Sequence, residues 1–222
     1  MSEAESDYYA HANAVFVDVV VAGHHAAPRI LDVGCWNGTL GRQLISRCGA
    51  VVDGIEKEST QAAKATSNGY RRVYTLDLDA SPLDVVNQTY DFILFGDVLE
   101  HLLHPERVLA MLVQRLAPGG VVMVSLPNIA FIGCRLTHLL GRWDYADYGI
   151  LDRTHLRFYT RRTMIEMIQA CGLSVQSVQG YVGLRTYPWF VKIAMRWLGR
   201  MWPTMFAIQI VISAEISPAC TS

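Results

Sequence analysis

Ile30-Leu31-Asp32-Val33-Gly34-Cys35-Trp36-Asn37-Gly38-Thr39-Leu40-Gly41 is the stretch on which the fold turns. A buried-looking strand closes on an acid, runs into a glycine-bearing turn and opens a helix, the way a parallel strand feeds a crossover helix. In a doubly wound sheet the carboxyl ends of the strands form the ligand crevice, and a glycine there admits backbone that any Cβ would exclude. Gly34 and Gly38 fit that role. A dinucleotide fingerprint would read Gly-x-Gly-x-x-Gly and seat a pyrophosphate at the helix N-terminus. Here the glycines are Gly34, Gly38 and Gly41, and Asp32 supplies a carboxylate suited to a cationic ligand.

Outward from that stretch, short β-branched runs alternate with helical patterns. Strands are expected at Arg29–Val33, Val51–Ile55, Arg72–Leu76, Phe92–Phe95, Val121–Leu126, Leu173–Gln179 and Phe206–Ala214, each apolar enough for burial on both faces. They predict an α/β fold: a Rossmann-like, doubly wound, seven-stranded, mostly parallel sheet with a lid inserted after the fifth strand. Pro105–Leu116 reads as a helix with proline in its first turn and Pro118-Gly119-Gly120 as its stop. Another helix starts after Thr160 as N-cap and ends at Gly172. Tyr8–Val21 carries Tyr8, Ala12, Val15, Phe16 and Val19 at helical spacing, an amphipathic helix expected over the sheet's edge.

The 222 residues make one domain: an N-terminal helix within 1–27, a cofactor-binding half at 28–126, and an acceptor-binding lid with the C-terminal strands at 127–222. A formal charge of −1 gives no global field to attract nucleic acid. The five cysteines, Cys35, Cys48, Cys134, Cys171 and Cys220, are scattered and read as reduced thiols. No run approaches the roughly 20 apolar residues of a membrane span. The acidic start, Met1–Asp7, lacks the basic region of a signal peptide, so a cytoplasmic location is expected.

Other acids end other strands. Val51-Val52-Asp53-Gly54-Ile55-Glu56 places Glu56 where nucleoside-binding sheets hydrogen-bond both ribose hydroxyls. Leu76-Asp77-Leu78-Asp79 follows the third strand. After the fourth comes Phe95-Gly96-Asp97-Val98-Leu99-Glu100-His101, with Asp97, Glu100 and His101 at i, i+3 and i+4. On one helical face they would bind a cation or activate a hydroxyl; alternatively Glu100 and His101 merely brace the helix entry before Pro105.

The first strand and turn resemble motif I of class I S-adenosylmethionine-dependent methyltransferases, Asp-x-Gly-Cys-x-x-Gly, with Trp36 where many relatives carry a middle glycine. The resemblance implies S-adenosylmethionine as cofactor and S-adenosylhomocysteine as product. Asp32, Gly34, Cys35, Trp36 and Gly38 would hold its methionine part, Glu56 its ribose, Asp77 its adenine amino group and Leu78 the adenine ring, with Asp79 a substitute for Asp77. Phe95 and Gly96 complete that set. The acid-x-x-Glu-His stretch resembles ubiquinone-pathway O-methyltransferases and small-RNA terminal methyltransferases, where it contributes to a metal site. That implies a divalent metal here, with His155 as a downstream ligand.

Ser125-Leu126-Pro127-Asn128, Arg135-Leu136, Gly141-Arg142 and Leu151-Asp152-Arg153-Thr154-His155-Leu156-Arg157-Phe158-Tyr159-Thr160 look like small bacterial type 11/23 methyltransferases of glycan and lipopolysaccharide biosynthesis. They imply a small-molecule acceptor, a sugar hydroxyl or amine, with His101 or His155 as base and Arg153 or Arg157 near a phosphate. Two alternatives stand beside this one. One is a quinone or natural-product O-methyltransferase; the other is a MetW-type partner of an acyltransferase, whose relatives generally lack the Glu100-His101 pair. Within Trp189–Trp202, Lys192, Arg196 and Arg200 recur beside Trp189, Ile193, Trp197 and Leu198, a stripe that would touch a membrane surface or pack inward.

Overall fold

Alternation within the strands decides the layers. In β1 (Arg29–Val33) Ile30 joins one hydrophobic layer while Leu31 and Val33 join the other. In β4 (Tyr90–Gly96) Phe92 and Leu94 face the first layer, Ile93 and Phe95 the second. Both faces of the central strands are therefore covered, which is why these runs are apolar throughout. A computed structural model describes residues 3–23, 26–182, 197–198 and 201–217.

The remaining strands are β2 (Val51–Glu56), β3 (Arg72–Thr75), β5 (Leu116–Pro127), β6 (Leu173–Tyr181) and β7 (Gln209–Ile216). The seven form one sheet in the order β3-β2-β1-β4-β5-β7-β6. β1 to β5 run parallel, and β7 is antiparallel to both neighbours, β5 and β6. The expected α/β doubly wound architecture is present. Burial on both faces fails at the edges: Arg72 and Thr75 of β3 are exposed, and Leu173 alone of β6 is buried. An edge strand has no neighbour to shield its outer side.

Helices α2 (Thr39–Cys48) and α1 (Glu3–Ala22) cover one face, with Phe16, Val17, Val20, Leu40 and Leu44 all buried against Ile30, Leu94 and Val211. α1 thus crosses the middle of the sheet rather than its edge, because Phe16 reaches the β4 residues. On the other face lie α4 (Pro105–Val113) and α6 (Arg161–Ala170), contributing Val108, Leu109, Leu112, Met164 and Ile168. α3 (Ser59–Ser67) joins β2 to β3.

Several boundaries differ from expectation, and those of α4, β5 and β7 have a visible cause. α4 stops at Val113, and Leu116, expected in its last turn, opens β5 opposite Tyr90. The register then jumps to Phe92 opposite Val121 around Gly119, whose φ is +74°. Leu116 is buried in either role, so its apolarity could not separate the two. β7 begins at Gln209, because Phe206 closes a short helix, α7 (Pro203–Phe206).

The insertion after β5 carries α5 (Ile132–Leu139) and returns through a bridge between Asn128 and Tyr159. Fully buried Asn128 anchors its root, donating to the carbonyls of Thr204 (2.9 Å) and Ala207 (2.8 Å). Thr160 caps α6 as expected, in a reciprocal pair with Thr163, and Gly172 ends it at φ +79°. Among the described residues no helix is long and apolar enough to cross a membrane. Of the basic stripe, Trp189, Lys192, Ile193, Arg196 and Arg200 lie outside the described residues, as does Cys220.

Candidate active site

The turn after β1 is held by β2. The N–H groups of Gly34 and Cys35 both donate to the Ile55 carbonyl, at 2.8 and 2.9 Å, and Trp36 N–H donates to Glu56 Oε2 at 2.9 Å. Gly34 (φ +70°), Trp36 (φ +48°) and Gly38 (φ +78°) are all left-handed. That explains why relatives put glycine at the middle position: a bulky side chain there carries a steric cost. Trp36 is half exposed at the rim, so little packing offsets the strain. Glu56 is buried, and its other oxygen accepts Glu58 N–H at 2.8 Å. Each oxygen keeps a lone pair able to accept a further donor.

The structure gives the glycines a second reason. A Cβ at Gly34 would collide with Val98, and one at Gly38 would lie 2.7 Å from Ala65 Cα. The room they leave is taken by protein, so close internal packing, and not ligand approach alone, requires them. Cys35 is buried in the layer under α1 and α2, and burial pushes its thiol pKa up. Asp32 is buried on the same face, its carboxylate accepting the Tyr70 hydroxyl at 2.5 Å; desolvation raises its pKa to about 7.

Across the rim, Asp77 folds its own turn, accepting Asp79 N–H at 2.9 Å and pairing with Lys57 Nζ at 2.7 Å, which lowers its pKa. Leu78 packs, partly buried, against the core. Asp79 is committed elsewhere, accepting the N–H groups of Leu103 (3.1 Å) and His104 (3.3 Å). Phe95 is fully buried, and a Cβ on Gly96 would meet Phe16 at an ordinary 3.5 Å.

Beyond β4 the expected shared helical face does not form. Leu99–His101 is a single 3₁₀ turn, and Asp97 precedes it at φ +52°. That left-handed step turns the Asp97 carboxylate into the sheet, where it accepts Ser125 Oγ–H at 3.0 Å and Gln209 Nε2–H at 2.6 Å. Burial raises its pKa to about 6, partly opposed by those two donors. Asp97 therefore leaves the group, and His155 joins it as the resemblance implied.

Glu100, His101 and His155 offer ligand atoms all within 4.8 Å of one another. Glu100 is 1% exposed, and neither carboxylate oxygen has a hydrogen-bond partner among the described residues. Burial and the charge of Asp97 push its pKa well up. His155 Nδ1 sits 3.1 Å from the Ile150 carbonyl, which leaves Nε2 toward Glu100 Oε1 at 3.9 Å. His101 Nδ1 meets the Thr154 carbonyl at 3.3 Å, and the two imidazoles pack edge to face at 4.7 Å. Desolvation lowers both histidine pKa values, so both rings are neutral near pH 7.

The lid hangs on this turn: Leu156 and Arg157 N–H both donate to the Glu100 carbonyl, and Arg157 donates to the Leu103 carbonyl at 2.6 Å. Arg153 pairs with Asp147 on the surface. Neither arginine stands in the cluster as a free phosphate ligand. Ser125, legible only within the run to Asn128, and Gln209 had no expected site role from the sequence; each is a polar residue in a largely apolar strand.

The family model described as a methyltransferase domain matches residues 8–178. This chain belongs to the class I S-adenosylmethionine-dependent methyltransferases. Among curated relatives, the methyltransferase is 27% identical over 167 residues to a ubiquinone biosynthesis O-methyltransferase of Azoarcus sp. (strain BH72), covering 69% of this chain and 70% of that one. A protein of the same description from Nitrosococcus oceani is 29% identical over 160 residues, 67% of each chain. Solved structures share the fold. A SAM-dependent methyltransferase from Archaeoglobus fulgidus superposes with a TM-score of 0.63 at 13% identity, over 93% of both chains. The magnesium protoporphyrin IX methyltransferase of Synechocystis PCC 6803, with bound SAH, gives 0.65 at 15% identity over 95% of this chain and 84% of that one. The methyltransferase's cofactor is S-adenosylmethionine.

Proposed function

We propose that this methyltransferase transfers the methyl group to a hydroxyl of a phenolic, quinone-precursor type of acceptor, positioned over Glu100, His101 and His155. The observation that carries the reading is the Glu100 carboxylate, buried with both oxygens unpartnered beside two neutral imidazoles. An orphaned buried carboxylate costs stability and persists where a ligand completes it. The curated relatives, named for O-methylation in ubiquinone biosynthesis, favour this acceptor over the sugar hydroxyl or amine expected from the lid motifs.

In this reading Glu56 takes the ribose hydroxyls of S-adenosylmethionine, the 34–38 turn its amino-acid end, and Asp77 with Leu78 the adenine. The sulfonium methyl then faces the end of β4. Displacement is in line, so alignment supplies much of the rate. The acceptor hydroxyl must also lose its proton, and a neutral imidazole, His101 or His155, is the group able to receive it. The donor set of Glu100, His101 and His155 also fits a divalent cation, since its carboxylate lacks a counter-charge and its imidazoles are unprotonated. A cation bound there would supply Lewis acidity that acidifies the acceptor hydroxyl.

The test is turnover of S-adenosylmethionine by the purified chain against a catechol and hydroxyquinol panel and, in parallel, a sugar-nucleotide panel, with and without Mg²⁺, Mn²⁺ or Zn²⁺. Methyl ethers on the phenolic panel are expected. Turnover confined to sugars overturns the acceptor class.

A further inference from the structure

Tyr70 stands between α3 and β3, 4% exposed, and its ring fills the room that three glycines leave. A Cβ on Gly38 would come within 2.8 Å of that ring, one on Gly54 within 3.0 Å, and one on Gly41 into the ring itself. These glycines belong to the cofactor turn, the middle of β2 and the first turn of α2. One aromatic ring therefore touches three of the segments that build the donor site.

Its hydroxyl ties them together. The Tyr70 O–H donates to Asp32 Oδ2 at 2.5 Å, and the Tyr70 hydroxyl oxygen in turn accepts the Gly41 N–H at 3.0 Å. Asp32 lies two residues before the turn and Gly41 three residues after it, so one oxygen joins the strand that enters the turn to the helix that leaves it.

We propose that Tyr70 is a positioning residue for S-adenosylmethionine: its hydroxyl clamps both ends of the 34–38 turn and holds the Asp32 charge beneath the cofactor's cationic amino-acid end. The proposal rests on the cofactor alone and is independent of which acceptor is methylated. The groups that face Asp32 are the Tyr70 hydroxyl, the Glu56 carboxylate and the Cys35 thiol. Burial and Glu56 hold its proton on; the Tyr70 hydrogen bond favours letting it go. Deleting the hydroxyl therefore moves Asp32 toward its neutral form near pH 7, while the ring and the packing of Gly38, Gly41 and Gly54 stay.

Titration calorimetry of S-adenosylhomocysteine into the full chain at pH 6, 7.5 and 9 reads this out. The ammonium of the free ligand titrates alike in every experiment, so comparison between proteins cancels its free-state ionisation. Tyr70→Phe is expected to bind roughly tenfold more weakly than wild type at pH 7.5, the scale of one hydrogen bond to a charged group. The gap is expected to narrow by pH 9, where Asp32 ionises in both proteins. Asp32→Asn, which keeps the shape and removes the charge, is expected to lose the affinity step near pH 7 that wild type shows. Tyr70→Phe binding like wild type at every pH, or weakened equally at every pH, overturns the proposal. If Tyr70→Phe fails to fold, Asp32→Asn decides alone, and persistence of the step overturns it.

Discussion

The two ends of the sheet rim, proposed to hold donor and acceptor, are built on opposite principles. Around the 34–38 turn every key polar group already has a protein partner: Glu56 accepts two backbone N–H groups, Asp77 holds Lys57, and Asp32 holds Tyr70. Over β4 the Glu100 carboxylate, the Gln209 Oε1 and the Tyr159 hydroxyl are buried with no hydrogen-bond partner among the described residues. A satisfied site is rigid and waits for a ligand of fixed shape; an unsatisfied one stores a cost that its ligand removes. That division suits an enzyme whose donor is invariant and whose acceptor defines it.

The comparison is broken most severely at Glu100. Glu100→Gln is expected to lower turnover by about two orders of magnitude or more, the scale for losing a group that acts in the transition state. It should also raise the melting temperature, because the neutral amide relieves a buried, unpaired acid. Turnover within a few-fold of wild type would return Glu100 to a bracing role. On the donor side, Glu56→Ala is expected to weaken S-adenosylhomocysteine binding by about tenfold or more, with kcat at saturating cofactor changing far less. It frees Trp36 N–H as well as removing the carboxylate proposed to hold the ribose.

Asp97 sharpens the contrast through pH. Its folded pKa, about 6, lies above the ordinary carboxylate value, so the folded state binds the proton more tightly than the unfolded chain. Its contribution to stability is thus full below the ordinary value and is lost as pH rises through about 6. Asp97→Asn should flatten that slope, gaining on the order of 2 kcal/mol over wild type between pH 4 and pH 8 in denaturant titrations. Flipping the Gln209 amide would let its unpartnered Oε1 accept from the new side-chain amide. An unchanged slope would assign the pH dependence to other groups. The smallest effect belongs to Trp36. Replacing it with glycine at φ +48° should stabilise the fold by up to about 1 kcal/mol, while the retained N–H to Glu56 limits the change in cofactor affinity to a few-fold.

The layers were legible because residues such as Ile30 and Leu31 sit adjacent in sequence yet face opposite cores, and both had to be apolar. Thr160 and Gly172 were legible because caps are local chemistry. The direction of Asp97 was not: its i, i+3 spacing with Glu100 fits a helix, and nothing local announces a left-handed non-glycine residue. His155 emerged through resemblance, since 54 residues separate it from His101 and long-range hydrogen bonds, chiefly those of Leu156 and Arg157 to the Glu100 carbonyl, bring it back. Tyr70 left no trace in the sequence, because its partners Asp32, Gly41 and Gly54 lie on separate segments. The glycines themselves were visible, but what fills their space was not.

The most direct test of the division is equilibrium binding of S-adenosylhomocysteine to a Glu100→Gln, His155→Gln double variant, measured beside wild type. The two affinities should agree within about twofold while the variant's turnover is lost. Affinity falling in step with turnover would contradict the account, because the two ends of the rim would then be one site.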